Sequence, residues 1–326
     1  MFRARTAALL ALAVPGLAAC AGGSEGDEQA AVRSAAPGNC PGDVLEVVVS
    51  VAQWSDVAGL LAGDCANVTT LVASAAADPH SFEPTTGDLV RFSDADLVVV
   101  NGAGYDGWAE SAVADLDEKP AVVSAAEVAG LESAGEEHSE GEDPATGPVG
   151  VDPHLWYAPD VVQAVAAEVT EQLTELSPDA AGYFAEQQSA WTAQLQPYLD
   201  AIEELRALAG GRSYAATEAV FDRMAAAIGL TDATPEGYRR SVSNESEPAP
   251  GELTAFTGTL SDREADVLVH NAQTAGSIPE QLRDAAEEAG VPVVEVTESA
   301  PSTDGAFVEW QLAQLSALSD ALAPAP

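Results

Sequence analysis

Two series of alternating strand and helix patterns, separated by a long stretch without strand character, most constrain the fold of this 326-residue chain. Short apolar, β-branched runs alternate with helix-period segments between residues 45 and 124, and the alternation resumes after residue 210. Such alternation is typical of parallel sheets covered by helices. We therefore predict an α/β protein with two lobes, each with a parallel-type β-sheet flanked by helices.

The stretch between the two series predicts two long helices, over residues 158–176 and 179–209. In the second segment large apolar residues recur at helical spacing and draw one stripe: Phe184, Trp191, Leu195, Tyr198, Ile202 and Leu205. We predict a rigid linking helix at 178–210 between an N-terminal lobe at 40–177 and a C-terminal lobe at 211–326. Pro197 removes a backbone donor, which predicts a kink or a break. The second-lobe strands are predicted at 212–216, 239–241, 265–270 and 291–296.

The first residues predict export. Arg3 and Arg5 precede a short apolar run, and a small-residue cleavage site ends in Cys20, which indicates a signal peptide at 1–19. A cysteine directly after the cleavage point resembles the lipobox of bacterial lipoproteins, which implies lipidation of Cys20 and a location on the extracellular face of the cytoplasmic membrane. An uncleaved signal anchor is the alternative, although the run is short for a bilayer. Residues 20–39 are small and acidic and predict a flexible tether.

Charge and cysteine content indicate which partners and which compartment suit this chain. A net charge of −41 disfavours nucleic acid and anionic lipid headgroups as partners. An oxidising compartment favours a disulfide between Cys40 and Cys65, with two free buried thiols as the alternative. Residues 131–150 are rich in Glu, Gly, Ser and Pro, which predicts an acidic solvent loop that is disordered and compatible with weak cation gathering.

Two copies of Asp-Pro-His, at 78–80 and 152–154, hold two of only four histidines in the chain. Imidazole is a common metal ligand, and the adjacent proline stiffens its presentation. The pair suggests one shared cation, whereas each tripeptide alone could be an ordinary turn. Asp78 and Asp152 are predicted to orient the ligands by hydrogen bonds.

Ligands of parallel α/β sheets lie at the carboxyl ends of the strands. His80 and His154 follow predicted strands of the first lobe, and Glu218 and Glu298 follow predicted strands of the second. We therefore predict two imidazoles that face two carboxylates across a cleft. The alternatives are a helix N-terminal acid for Glu218 and a solvated rim acid for Glu298. His270, also at a strand end, is a further candidate near the metal.

Three motifs in order carry a family resemblance: Asp-Pro-His-Ser-Phe-Glu-Pro at 78–84, Asp-Ala-Asp-Leu-Val-Val-Val-Asn-Gly at 94–102 and Asp-Pro-His-Leu-Trp at 152–156. Together with the preceding lipobox, these motifs resemble those of the cluster A-I solute-binding proteins, which are the zinc and manganese receptors of bacterial ABC importers. The resemblance covers about residues 47–322. The resemblance implies two lobes joined by a rigid helix, with a metal bound in the cleft between them. It also implies a receptor that delivers the metal to an ABC permease and is not an enzyme.

The resemblance also assigns ligands. His80 and His154 match the two first-lobe histidine ligands, and Glu218 stands where zinc-type members have a histidine and manganese-type members a glutamate. Glu298 matches a position that is usually aspartate. Two imidazoles and two carboxylates suit zinc and manganese as cargo, whereas calcium or magnesium would take oxygen alone. The set contains no sulfur, which argues against a dedicated copper(I) site.

Two other functions stay open at this point. In an exported metal-dependent hydrolase, Glu218 or Glu298 would act as base, but the sequence has no HExxH helix, Gly-x-Ser-x-Gly elbow or P-loop. A metal-buffering or adhesive surface lipoprotein could use the same fold. The preferred prediction is a monomeric receptor with one high-affinity site, held at the membrane by its lipid anchor.

Overall fold

The computed structural model describes residues 30–36, 38–75, 77–131, 151–244, 246–274, 276–300 and 306–323. The predicted signal peptide at 1–19, the lipidation site Cys20 and the acidic loop beyond Leu131 lie outside these ranges. Within them the chain forms two sheets with flanking helices, joined by one long helix, as the alternating pattern predicted.

The first lobe is built on a five-stranded sheet in the order β1-β3-β2-β4-β5. Strands β2 to β5 are parallel, and β2 and β4 are buried along nearly their whole length, which fits their unbroken apolar sequences. The elements are β1 Ala31–Arg33, β2 Leu45–Val51, α1 Ala52–Ala62, β3 Ala66–Val72, α2 Thr86–Asp94, β4 Leu97–Val100, α3 Gly107–Ala114, β5 Ala121–Ser124, α4 Ala125–Val128 and α5 Pro159–Leu176.

Strand β1 lies within the predicted flexible tether at 20–39 and corrects that prediction for residues 31–33. Ala31–Arg33 pairs antiparallel with β3 and forms the edge of the first sheet. Just beyond the strand, the backbone N–H of Ala35 donates to Asn67 Oδ1 at 3.0 Å. Backbone pairing therefore orders this segment although its central side chain, Val32, is 61% exposed. A prediction from side-chain burial alone overlooks such an edge strand.

The second lobe has a four-stranded sheet, all parallel, in the order β7-β6-β8-β9. Its elements, together with the linking helix, are α6 Ala181–Ala209, β6 Ser213–Ala216, α7 Asp222–Ile228, β7 Thr231–Asp232, α8 Glu236–Ser243, α9 Pro250–Ser261, β8 Val267–Asn271, α10 Ser277–Ala289, β9 Val293–Val296 and α11 Ala306–Leu322. The strands after residue 260 and the helices between them follow the predicted order.

The predicted strand at 239–241 is wrong, because these residues lie inside α8. Tyr238 and Val242, four residues apart, both pack against the same apolar cluster of the second lobe, which is the spacing of a helix. Arg240 and Glu236 form an i,i+4 ion pair along the same helix. The edge strand of the second sheet is instead the two-residue β7.

Helix α6 runs without interruption from Ala181 to Ala209 and lies within the predicted linking segment. It packs against α1 and α5 of the first lobe and against α7 and α11 of the second. Pro197 lies inside the helix without interrupting it, so of the predicted kink or break the break does not occur. The residues of the predicted apolar stripe are all buried, so packing on both lobes offsets the hydrogen bond that the proline cannot donate.

Two further features concern export. Cys40 and Cys65 are bonded to each other, with sulfur atoms 2.03 Å apart, and link the start of the first lobe to the residue before β3. None of the helices in the described ranges combines the length and the apolar character that crossing a bilayer requires.

The turn after β4 is fixed by a buried carboxylate. Asp106 accepts hydrogen bonds from the backbone N–H groups of Asn101, at 2.7 Å, and Gly102, at 2.8 Å, and from the Ser50 hydroxyl. Gly102 has φ +73°, and a β-carbon there would lie 2.7 Å from Ser124 Oγ. Only glycine fits both the backbone angle and the space. This turn holds Asn101, which in turn supports the candidate site.

Glu110 on α3 should make stability depend on pH. Burial, and then the charges of Asp106 and Glu127, raise the pKa of Glu110 from 4.5 to about 7. The folded state therefore holds this proton more tightly than the unfolded state does. Its stabilising contribution is complete below pH 4.5, and the free energy of unfolding falls as the pH rises through 7.

We expect Glu110→Gln to reduce this loss of stability, because the amide stays uncharged at every pH. Between pH 5 and pH 8 the variant should lose about 1–3 kcal/mol less unfolding free energy than the wild type. Urea denaturation at both pH values measures the difference. The exposed Glu118 provides the control, and Glu118→Gln should keep the wild-type pH dependence. Equal pH dependence in Glu110→Gln and the wild type would contradict the assignment.

Candidate metal-binding cleft

The first Asp-Pro-His segment is held from both sides at the edge of the first lobe. Asp78 Oδ1 accepts from the backbone N–H of His80 at 2.9 Å, and Trp108 Nε1 donates to the carbonyl of Pro79 at 3.0 Å. The His80 ring packs edge-on against Tyr105, with ring centroids 4.7 Å apart. His80 is exposed, so its imidazole is accessible to an ion from solvent.

The second Asp-Pro-His segment lies deeper. Asp152 Oδ1 lies 3.0 Å from the backbone N of His154, from which it accepts, and 2.7 Å from His154 Nδ1. Asn101 Nδ2 donates to the carbonyl of Pro153 at 2.9 Å. When Nδ1 carries the proton and donates to Asp152, Nε2 keeps its lone pair for a metal ion.

The two aspartates therefore do different things, although the sequence predicted one role for both. Asp152 contacts the imidazole of its histidine. Asp78 bonds the backbone of His80 and the hydroxyl of Ser81, and these contacts shape the turn without fixing the ring. Asp152 thus makes a contact with its histidine ring and Asp78 makes the contacts of a turn, while the roles of both beside a metal stay predictions.

The two carboxylates of the second lobe meet at one amide. Asn271 Nδ2 donates to Glu218 Oε2 at 2.6 Å and to Glu298 Oε1 at 3.2 Å. The other oxygen of Glu218 accepts from the Thr274 hydroxyl at 2.7 Å. Glu218 makes no capping hydrogen bond, but it directly precedes a short 3-10 turn at Ala219–Phe221, so its position also fits the alternative of a helix N-terminal acid.

Tyr105 of the first lobe contacts Glu298 and both histidines. Its hydroxyl donates to Glu298 Oε2 at 3.3 Å and accepts from Gln53 Nε2 at 2.8 Å. Its ring centroid lies 4.7 Å from that of His80 and 6.2 Å from that of His154. Burial, followed by the charge of Glu298, raises the pKa of Tyr105 well above 10, which keeps the hydroxyl protonated as a donor.

A polar cavity of about 230 Å³ lies between the lobes beside this network. Asp78, Gln53 and Tyr105 line it from the first lobe, and Asn271 and Glu298 line it from the second. Gln53 also donates to the backbone carbonyl of Glu298 at 3.0 Å, so the two lobes are hydrogen-bonded at its wall. Of the two carboxylates, Glu298 lines this cavity.

The four predicted ligands are connected by contacts through Tyr105 and Asn271. In the described part of the chain, no three or more His, Cys, Asp or Glu side chains are grouped closely enough to hold a metal. Glu218 and Glu298 share one amide donor, and His80 and His154 share one aromatic neighbour. The assignment of these four residues as ligands remains a prediction.

His270, the further candidate near the metal, is 3% exposed, and among the described residues neither of its ring nitrogens has a hydrogen-bond partner. Strand alternation explains this, because His270 points to the opposite face of β8 from Asn271. The next residue, Asn271, contacts both carboxylates instead.

Sequence reasoning missed Tyr105, Gln53, Asn271 and Thr274. Asn271 and Thr274 had a usable signal, because they lie at the carboxyl end of a strand at the same rim as Glu218. Tyr105 and Gln53 had none, because each acts through a contact with Glu298, nearly 200 or more positions away along the chain.

The chain is similar in sequence to known proteins along most of its length. Residues 47–321 match the family model described as ZnuA, zinc-uptake complex component A, periplasmic. The high-affinity zinc uptake system protein ZnuA of Bacillus subtilis is 24% identical over 244 residues, which cover 74% of this chain and 75% of that protein. The manganese-binding lipoprotein MntA of Halalkalibacterium halodurans is 28% identical over 164 residues, covering 50% of this chain and 48% of that protein.

A solved structure shows the same fold. The periplasmic zinc-binding protein TroA from Treponema pallidum aligns with a TM-score of 0.67 at 20% identity, over 86% of this chain and all of that one. The family match covers most of the chain and includes both Asp-Pro-His segments and both carboxylates. The chain belongs to the ZnuA family of periplasmic zinc-uptake components.

Proposed function

We propose that this protein is the extracytoplasmic metal receptor of an ABC importer. It captures one divalent transition metal, zinc or manganese, in the cleft between its lobes and delivers it to a membrane permease. The observation that carries the proposal is the junction at Tyr105 and Asn271, where two histidines of one lobe and two carboxylates of the other share neighbours. Family membership supports a receptor and gives no support to the hydrolase alternative.

The proposed ligands are His80, His154, Glu218 and Glu298. The two carboxylates would exchange their hydrogen bonds to Asn271, Thr274 and Tyr105 for bonds to the ion. Because a buried or half-buried carboxylate needs a partner, these neutral donors stabilise the pair until a cation arrives. The nitrogen and oxygen donor set fits zinc and also manganese. The similar proteins from Bacillus subtilis and Halalkalibacterium halodurans are named for zinc and for manganese, respectively.

We further propose that the mature chain begins at a lipidated Cys20 and is tethered as a monomer to the extracellular face of the cytoplasmic membrane. The lipobox-like sequence supports this, and the relative MntA is called a lipoprotein. The predicted boundaries, with lobes at 40–177 and 211–326, belong to the same proposal. Metabolic labelling with a fatty acid, compared between wild type and Cys20→Ala, tests the anchor.

A calorimetric titration tests metal capture. The protein is stripped with a chelator and titrated with Zn²⁺ and, separately, with Mn²⁺. We expect one saturable high-affinity site per chain, since the four proposed ligands bind a single ion. Absence of saturable binding of either metal would overturn the proposed function.

Glu218→Ala should weaken Zn²⁺ binding strongly, by about 100-fold, because it removes one of the four proposed ligands, while Asn271 keeps its contacts to Glu298 and Thr274. Glu247→Ala is the matched control, because Glu247 is an exposed acid of the same lobe. Competition with a chromogenic chelator measures both affinities. Equal losses in the two variants would show that general negative charge, and not Glu218, binds the ion.

A further inference from the structure

Arg223 on α7 reaches from the second lobe to the segment that carries His154. Its Nε donates to the backbone carbonyl of Asp152 at 3.1 Å, and its Nη2 donates to the same carbonyl. Nε also lies 3.3 Å from Asp152 Oδ2. A single guanidinium therefore holds both the main chain and the carboxylate of Asp152, the residue that contacts the His154 ring.

These contacts form a continuous chain from one lobe to a proposed ligand in the other. Arg223 binds Asp152, and Asp152 Oδ1 accepts from the backbone of His154 and faces Nδ1 at 2.7 Å. The side chains of Arg223 and Asp152 are 22% and 23% exposed, and that of His154 is 11% exposed. Partial burial makes these charge-assisted contacts stronger than an ordinary surface ion pair.

The first Asp-Pro-His segment shows a different arrangement. Asp78 binds the backbone of His80 and the hydroxyl of Ser81, and the His80 ring packs on Tyr105. The contact with Arg223 is thus made by the segment that carries His154. Arg223 also lies five residues after Glu218, so the segment from 218 to 223 contains both a proposed ligand and the arginine that reaches the other lobe.

We propose that Arg223 is a positioning residue that orients His154 through Asp152 and couples that ligand to the second lobe. The inference rests on the proposed function, because it assumes that His154 binds the metal. The planar guanidinium is suited to this role, since it presents two donors to one carbonyl and keeps its charge beside the carboxylate. A lysine at this position would supply the positive charge but not the two fixed N–H donors of the guanidinium.

The test compares three variants of the full chain with the wild type. Arg223→Gln removes the positive charge, and Arg223→Lys keeps the charge but removes the paired N–H donors of the guanidinium. Arg206→Gln is the matched control, because Arg206 Nε donates to Ala227 O of the same helix α7 at 2.7 Å and pairs with Glu203 within the linking helix. Zn²⁺ affinity is measured by chelator competition, the coordination geometry by the visible spectrum of bound Co²⁺, and folding by thermal unfolding without added metal.

We expect Arg223→Gln to bind Zn²⁺ about 10-fold or more weakly and to change the Co²⁺ spectrum, with Arg223→Lys between it and the wild type. Arg206→Gln should keep the wild-type affinity and spectrum. Wild-type affinity and spectrum in both Arg223 variants, or equal losses in Arg223→Gln and Arg206→Gln, would overturn the role of Arg223 alone. Absence of Zn²⁺ binding by the wild type would overturn the proposed function and, with it, this inference.

Discussion

His154→Ala is expected to weaken Zn²⁺ binding by about 100-fold or more, a larger loss than changes to its supporting residues should cause. The variant removes an imidazole that is held by Asp152 at 2.7 Å and lies against Tyr105 and Trp156. Asp152 and Arg223 keep their ion pair in the variant, so the loss should fall mainly on metal binding. Calorimetry, with chelator competition for the tightest affinities, measures it.

His270→Ala is the matched histidine control for this experiment. His270 is buried on the other face of β8 and hydrogen-bonds to none of the proposed ligands. We expect it to lose stability from the cavity it leaves while it keeps most of its metal affinity. Equal affinity losses in His154→Ala and His270→Ala, with both variants folded by circular dichroism, would contradict the assignment of His154 as a ligand.

Trp54→Ala is expected to lower the free energy of unfolding by about 3–5 kcal/mol, the cost of a large cavity in a close-packed core. Trp54 is fully buried on α1, and its Nε1 donates to Asn101 Oδ1 at 3.1 Å. Asn101 in turn holds the carbonyl of Pro153. The variant should therefore also loosen the segment that carries His154. Urea denaturation followed by far-UV circular dichroism measures the loss without relying on tryptophan fluorescence.

Two companion variants separate cavity formation from the lost hydrogen bond. Trp54→Phe keeps most of the ring and should cost less than Trp54→Ala, with about 1 kcal/mol due to the indole donor. Leu89→Ala, at a side chain that is 43% exposed on α2, should stay within about 0.5 kcal/mol of the wild type. A loss in Leu89→Ala as large as that in Trp54→Ala would contradict the description of the core.

Much of the fold could be predicted because its signals are local. The buried runs of β2 and β4 and the apolar stripe of α6 repeat at the spacing of their own secondary structure. The failures occurred where that signal is short or carried by the backbone. Strand β1 has three residues and is ordered by pairing, and α8 has eight residues with few apolar positions. At Pro197 the linking helix continues without a break, because it packs on helices of both lobes.

The candidate site was only half predictable. Strand ends indicated where His80, His154, Glu218 and Glu298 would lie, because parallel strands end at a common rim. Among the residues that connect them, Asn271 has a positional signal at the carboxyl end of β8, whereas Tyr105 and Arg223 have none. Tyr105, Asn271 and Arg223 act through contacts between segments that are distant along the chain, and single residues of these types occur in many structural roles.

A crystal structure of the metal-loaded protein, with the ion located by anomalous scattering at the zinc or manganese edge, tests the central claim most directly. We predict one ion in the interlobe cleft, bound by the imidazoles of His80 and His154 and the carboxylates of Glu218 and Glu298, with donor atoms about 2.0–2.2 Å from zinc. An ion bound elsewhere, or bound in the cleft without one of the two histidines, would contradict it.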